Sequence, residues 1–126
     1  MTNDPKTIAL AYIDACGRKD LDTVAPLLAK DLKFIGPGNT VTGAAPYLAV
    51  LRRLGPIWVR SDVIKVFTDG ADVCVIYDLV TDSAAGAVPI VEWLHVEGDR
   101  IATVMLYFDR LTFKPASEEL ARRGAG

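Results

Sequence analysis

Apolar residues recur every third or fourth position in the first half of the chain and every second position from Ile57 onward. That change of period separates helices from strands. In Pro5 to Cys16, the residues Ile8, Ala11, Tyr12, Ala15 and Cys16 form one apolar helical stripe. Asn3 or Asp4 can cap this helix, Pro5 suits its first turn and Gly17 its end. A second helix is predicted over Leu21 to Ala29, capped by Asp20, with Val24, Leu27 and Leu28 inward. Pro26 lacks an N–H and clashes with the preceding turn, so this helix is expected to be short or distorted. Leu32 to Asn39 reads as a short strand broken at Gly36, Pro37 and Gly38, with a loop after it. A third helix spans Ala44 to Leu54, starting near Thr42 or Gly43, stopping at Gly55 and Pro56, with Tyr47, Leu48, Leu51 and Leu54 on its inner face.

The period-two region divides into Ile57 to Phe67, Asp72 to Thr81, Ala87 to Glu97 and Arg100 to Leu111. The connections "TDGA", "DSAAG" and "EGDR" carry residues favoured in tight turns, so the strands are antiparallel. The tail "PASEELARRGAG" is expected to add one helical turn or to fray. The expected fold is α+β: three N-terminal helices packed on a strongly curved, mostly antiparallel sheet that leaves a cone-shaped pocket. A chain of 126 residues fits one domain, residues 1–126, and shows no internal repeat or linker. A small hydrophobic ligand would sit beneath the helices.

Composition removes several classes of partner. The formal net charge is −2 with no basic block, so nucleic acid is not expected. The arginine pairs Arg52–Arg53 and Arg122–Arg123 lie near predicted helix ends, where cations complement the dipole. Cys16 and Cys74 sit in apolar patterns that predict no disulfide, and with His95 as the one histidine no zinc or haem set is recognisable. No metal and no cofactor are therefore expected. "MTNDPK" is not a charged-then-apolar leader and no apolar run approaches the roughly 20 residues of a membrane span, so neither membrane nor export is expected and the default location is cytoplasmic.

The odd residue is Glu92, in the middle of the apolar strand "VPIVEWLHV". A buried carboxylate is costly unless paired, hydrogen-bonded or neutral. Alternation groups it with Ile90, Leu94 and Val96, and places Val91, Trp93 and His95 on the other face. Both faces are largely apolar, so two readings stand: an acid facing the pocket, or a solvent or dimer contact paired with a basic residue. Asp78 shares a face with Cys74, Ile76 and Val80. If that face were the cavity's, two carboxyls would compete for ionisation and one would keep its proton; the alternative is a strand-end acid bonded to a turn or an arginine. Tyr12 is either a core tyrosine with a satisfied hydroxyl or a hydrogen-bond donor in the pocket. Asp109 either moves a proton or anchors the strand end. Trp58, Trp93 and Tyr107 are expected on the outer face of the sheet, an apolar patch that a homodimer would bury.

The segments "AYIDACGRKDLDTVAPLLAKDLKFIGP" and "VEWLHVEGDRIATVMLYFD", with this order of elements, resemble the nuclear transport factor 2-like superfamily, which includes ketosteroid isomerases, limonene-type epoxide hydrolases and SnoaL-like polyketide cyclases. The resemblance covers nearly the whole chain. The helix-one tyrosine of the isomerases, an oxyanion donor, matches Tyr12, and their protonated aspartic acid matches Glu92. Their general base falls on Gly36, which cannot take a proton. The resemblance to the hydrolases lies in "LYFDRLTF", but one required carboxylate falls on Leu106 and the Arg-x-Asp of the strand region, Arg60 to Asp62, is one strand early.

The resemblance thus implies a small-molecule-binding, SnoaL-like protein, read as an isomerase or cyclase acting on an enolisable hydrophobic ligand. Tyr12 and neutral Glu92 would stabilise the oxyanion while Asp78 or Asp109 moves the proton. Phe34, Tyr47, Leu51 and Leu94 would line the pocket, together with Val104, Leu106 and Phe108. The alternative is a non-catalytic ligand-binding or dimeric structural module of the same fold.

Overall fold

In the computed structural model, which describes residues 4–124, alternation along two neighbouring strands defines the core. Strand β4 (Asp72–Thr81) buries Val73, Val75, Tyr77, Leu79 and Thr81, and β5 (Ala87–Glu97) buries Val88, Ile90, Glu92, Leu94 and Val96. Their odd and even partners face outward, as a half-buried sheet requires. With β1 (Leu28–Gly36), β2 (Asn39–Thr42), β3 (Trp58–Asp69) and β6 (Arg100–Tyr107) they form a six-stranded sheet in the order β2-β1-β6-β5-β4-β3. Every pairing is antiparallel except β1 with β6, so the sheet is mixed and open. Strand β3 shifts register twice against β4, between Trp58 and Arg60 and between Val63 and Lys65. Such bulges bend a strand and increase its twist.

Helix α1 (Pro5–Gly17) begins at Asp4, whose carboxylate accepts from the Lys6 and Thr7 amides. Its buried face is Ile8, Ala9, Tyr12, Ile13, Ala15 and Cys16. Ala11, expected on the stripe, is exposed, because the face that meets β4 and β5 is centred toward Ala9 and Ile13. The second cap candidate, Asn3, lies outside the described residues. Pro26 acts as expected: α2 (Leu21–Val24) lasts one turn, tightens to a 3-10 turn over Ala25–Leu27, and hands the chain to β1 at Leu28. Helix α3 (Ala44–Leu54) buries Tyr47 and Leu51.

Two elements differ from the expectation. The supposed loop after Gly38 is β2: Pro37 and Gly38 (φ 74°) make a turn that returns the chain antiparallel to β1. The last strand stops at Tyr107, and the tail forms a fourth helix, α4 (Arg110–Arg123), of 14 residues. Asp109 explains the break, since its side chain caps α4 through the Leu111 amide at 3.1 Å and the Thr112 hydroxyl at 2.7 Å. At its far end Arg123 holds α4 to the Pro56 carbonyl at 3.0 Å and the Asp82 carboxylate at 2.9 Å. Among the described residues no helix is long and apolar enough to cross a membrane.

Candidate functional site

Four polar side chains meet inside the curve of the sheet. Tyr12 lies one turn from Ile8 and one from Cys16 on the buried face of α1, and Tyr47 comes from the first turn of α3. Tyr77 and Glu92 stand on the inward faces of β4 and β5. Tyr77 pairs with Ile90, so Glu92, two residues further, is its diagonal neighbour on the same face. All four are buried, Glu92 to 2% exposure.

Their hydrogen bonds leave an imbalance. The Tyr77 hydroxyl donates to Glu92 Oε1 at 2.8 Å. The Tyr12 and Tyr47 hydroxyls bond to each other. Glu92 Oε2 is buried and has no hydrogen-bond partner among the described residues. A buried carboxyl oxygen with no donor is costly when charged, and far less so when it carries a proton. In the Tyr12–Tyr47 pair, two hydroxyl protons serve one hydrogen bond, so one proton is left to donate elsewhere.

Burial pushes the Glu92 carboxyl from its ordinary 4.5 up to about 7, with the Tyr77 and Tyr12 hydroxyls opposing part of that rise. Around neutral pH both of its forms are populated. Burial, reinforced by the Glu92 charge, drives all three tyrosines well above their usual range, so they stay protonated and act as donors.

The cluster forms part of the wall of a cavity of about 770 Å³. That volume is in the range of about 300–1,000 Å³ typical of small-molecule sites. The rest of the wall is mostly apolar, including Phe34, Leu51, Trp58, Leu79 and Ile90. Exposed lining residues, Asn39, Arg53, Arg110, Leu111 and Lys114, mark the mouth between β2, α3 and α4. Glu92 is the one carboxyl among the lining residues.

The structure brings Tyr12, Glu92, Phe34, Tyr47, Leu51, Leu106 and Phe108 to this cavity. The other expected residues lie elsewhere. Asp78 follows Tyr77 directly and therefore projects from the opposite face of β4, paired in register with Asp62 and Pro89. It does not share a cavity with Glu92. Asp109 is exposed, its carboxylate committed to capping α4. Leu94 and Val104 face each other one inward step beyond the Glu92–Leu106 pair and are completely buried in the core.

Trp58 is not on the outer face. It is buried, lines the cavity and donates from Nε1 to Ser61 Oγ at 3.0 Å, the bulge after it having reset the alternation of β3. Trp93 and Tyr107 do face outward, at 42% and 49% exposure. His95 also points away from Glu92, toward Asp72 Oδ1 at 3.0 Å. The Arg60–Asp62 pair is an exposed surface contact on β3.

Gly36 lines the cavity, but no side chain fits there as things stand. A Cβ on it would lie 2.9 Å from Cζ of Phe34, whose ring stacks on Tyr47 at 5.0 Å between centroids. The space a base would need at that position is filled by an aromatic ring. Several lining residues are not singled out by spacing, Tyr77 and the inner face of α4 among them. Tyr77 was hidden because both faces of β4 are apolar, so nothing short of the β4–β5 register pairs it with Glu92. Phe113, Lys114, Ser117 and Leu120 reach the cavity only because the tail is a helix.

Comparison with known proteins agrees with this architecture. The SnoaL-like domain pattern matches residues 9–104. No curated protein matches the chain. Among solved structures, a protein from Kribbella flavida is 29% identical with a TM-score of 0.79, over 95% of this chain and 96% of that one. A nuclear transport factor 2-like protein of unknown function from Cytophaga hutchinsonii is 23% identical with a TM-score of 0.77, over 90% and 97% of the two chains. A second Kribbella flavida protein, named provisionally as a ketosteroid isomerase, is 23% identical with a TM-score of 0.74, over 86% and 82%. At that identity the last two speak for the fold alone. The chain belongs to the SnoaL-like domain family and shares the fold of nuclear transport factor 2-like proteins.

Proposed function

We propose that the cavity binds a small, largely apolar molecule carrying an enolisable carbonyl or phenolic oxygen, and that this oxygen meets Glu92 and the Tyr12–Tyr47 pair. The observation that carries this reading is the unpartnered Oε2 of a buried carboxyl on the wall of an apolar cavity. With its proton on, Glu92 donates from Oε2 to the ligand oxygen, and the spare phenolic proton of the tyrosine pair supplies a second donor. Two donors on one oxygen stabilise negative charge as an enolate develops.

An isomerase- or cyclase-type reaction also needs a group that takes a proton from carbon. Glu92 is the one lining carboxyl among the described residues, so turnover would run from its ionised form, which takes the proton from carbon and returns it to the product while the spare phenolic proton of the tyrosine pair holds the enolate oxygen; the protonated form binds the ligand without turning it over. The second reading, a binding module without turnover, is favoured by the phenylalanine ring against Gly36 and by the outward placement of Asp78 and Asp109.

Two measurements separate the readings. Fluorescence titration with 2-naphthol tests the site: binding that weakens about tenfold in both Tyr12→Phe and Glu92→Gln supports it, and binding indifferent to both sinks it. Hydrogen–deuterium exchange at the α-carbons of 2-tetralone tests turnover. Exchange accelerated by the protein and lost in Glu92→Gln supports proton transfer; binding with no acceleration leaves a binding module.

A further inference from the structure

We propose that the ligand of this cavity is an amphipathic acid, with a carboxylate at the mouth and its carbonyl or phenolic oxygen at Glu92. This rests on the reading of the cavity as a ligand site and adds the chemistry of the ligand's outer end. The charges along the wall are segregated. Its inner part holds phenols and one buried carboxyl that is neutral below about pH 7, while its exposed rim carries Arg53, Arg110 and Lys114. No lining carboxylate stands near the rim to balance them.

The cations come from two helices that flank the opening. Arg53 lies in the last turn of α3, and Arg110 and Lys114, four residues apart, share a face at the start of α4. Among the described residues most of the arginines have a partner, and Arg53 and Arg110 have none. Arg18, Arg60, Arg122 and Arg123 pair with carboxylates, and Arg100 bonds to the Leu28 carbonyl. Of the three arginines left without such a partner among the described residues, two line the cavity. The nearest acid in sequence, Asp109, turns its oxygens to the Leu111 amide and the Thr112 hydroxyl rather than to the Arg110 guanidinium.

Arg110 also reaches across the opening. A Cβ placed on Gly38 would lie 3.1 Å from Arg110 Nη1, so the guanidinium rests on the turn between β1 and β2, at a glycine whose φ of 74° larger residues rarely adopt. A guanidinium held there presents a planar pair of donors to an incoming carboxylate. A carboxylate at the mouth keeps part of its hydration, whereas the same group beside Glu92 would be both desolvated and repelled. The ligand is thus oriented acid outward.

The test compares 6-hydroxy-2-naphthoate with 2-naphthol by fluorescence titration at low salt, about one unit below the Glu92 pKa. The acid is expected to bind about tenfold more tightly, a preference that vanishes in the triple variant Arg53→Gln, Arg110→Gln, Lys114→Gln and in about 0.5 M salt. The triple variant should weaken the acid far more than naphthol, and Glu92→Gln should weaken both probes alike. Equal affinity for the two probes, or an acid preference that survives the triple substitution, overturns the proposal while leaving the cavity a ligand site. Naphthol binding that ignores Glu92→Gln removes the ligand-site reading and the proposal with it.

Discussion

The Tyr77 hydroxyl donates to one oxygen of Glu92 at 2.8 Å and nothing among the described residues donates to the other. The pair is a consequence of register: β4 and β5 align Tyr77 with Ile90, which sets Glu92 diagonally beside it on the inward face. Replacing Tyr77 with Phe removes the larger of the two hydroxyl effects that oppose burial, the other being that of Tyr12. The Glu92 pKa should then rise above about 7. Carboxyl titration followed by NMR in the variant reads that shift directly, and a fall would contradict the pairing.

The same carboxyl makes stability depend on pH in an unusual direction. Its folded pKa of about 7 exceeds its ordinary 4.5, so between these values the folded state holds more proton than the unfolded state and stability falls as pH rises. At roughly 1.4 kcal/mol per unit, the loss across that window is about 3 kcal/mol. Other carboxylates, Asp4, Asp20, Asp72, Asp109 and Glu119, have lowered pKa values and work the opposite way at lower pH. The difference between wild type and Glu92→Gln isolates the effect. Urea unfolding of both proteins across this range should show the wild type losing stability relative to the variant, with a flat difference as the contrary result.

Tyr12 and Tyr47 share one hydrogen bond, so their contributions to binding should not add. Each Phe substitution alone is expected to weaken 2-naphthol binding about tenfold, and the double substitution hardly more than either single one. Isothermal titration of the three variants checks this. Full additivity would mean that the two phenols act on the ligand separately.

Phe34 and Gly36 make a second coupled pair. Gly36→Ala forces the Phe34 ring aside and should cost about 1–3 kcal/mol of stability, by overpacking. In a Phe34→Ala background the same change should cost almost nothing. If the penalty persists there, the ring is not what excludes a side chain at Gly36.

The outer face of the sheet carries a cross-strand row of Phe67, Cys74, Trp93 and Met105. Phe67 is 54% exposed and Trp93 42%. We expect a homodimer to cover this row. Sedimentation should find a dimer that Phe67→Glu converts to a folded monomer; a wild-type monomer at micromolar concentration would rule the dimer out.

Much of this fold was legible because periodicity is a local signal. Tyr12 on α1, Tyr47 on α3 and the grouping of Ile90, Glu92, Leu94 and Val96 on one face follow from spacing alone; which face turns inward does not. What failed depended on information that spacing lacks. Asp78 was assigned no definite face because Cys74, Ile76 and Val80 are as apolar as Val73, Val75 and Leu79, and only the packed helices decide which set is inside. Trp58 was misplaced because a bulge resets its strand. Asp109 read as strand because "LYFD" is apolar and aromatic up to its last residue, while its capping bonds lie in the residues that follow. The unpaired Oε2 of Glu92 is a property of the assembled site and of no segment.

Glu92 is a buried acid poised near neutrality with one oxygen open, and the proposed ligand contact is at that oxygen. Isotope-edited infrared spectroscopy of protein labelled at the glutamate carboxyl, with Glu92→Gln as the blank, follows this group with and without 2-naphthol. A protonated carboxyl band that titrates near 7 in the free protein and shifts on binding is the predicted result. A group that titrates near its ordinary 4.5, or a band that does not respond to the ligand, would contradict the account.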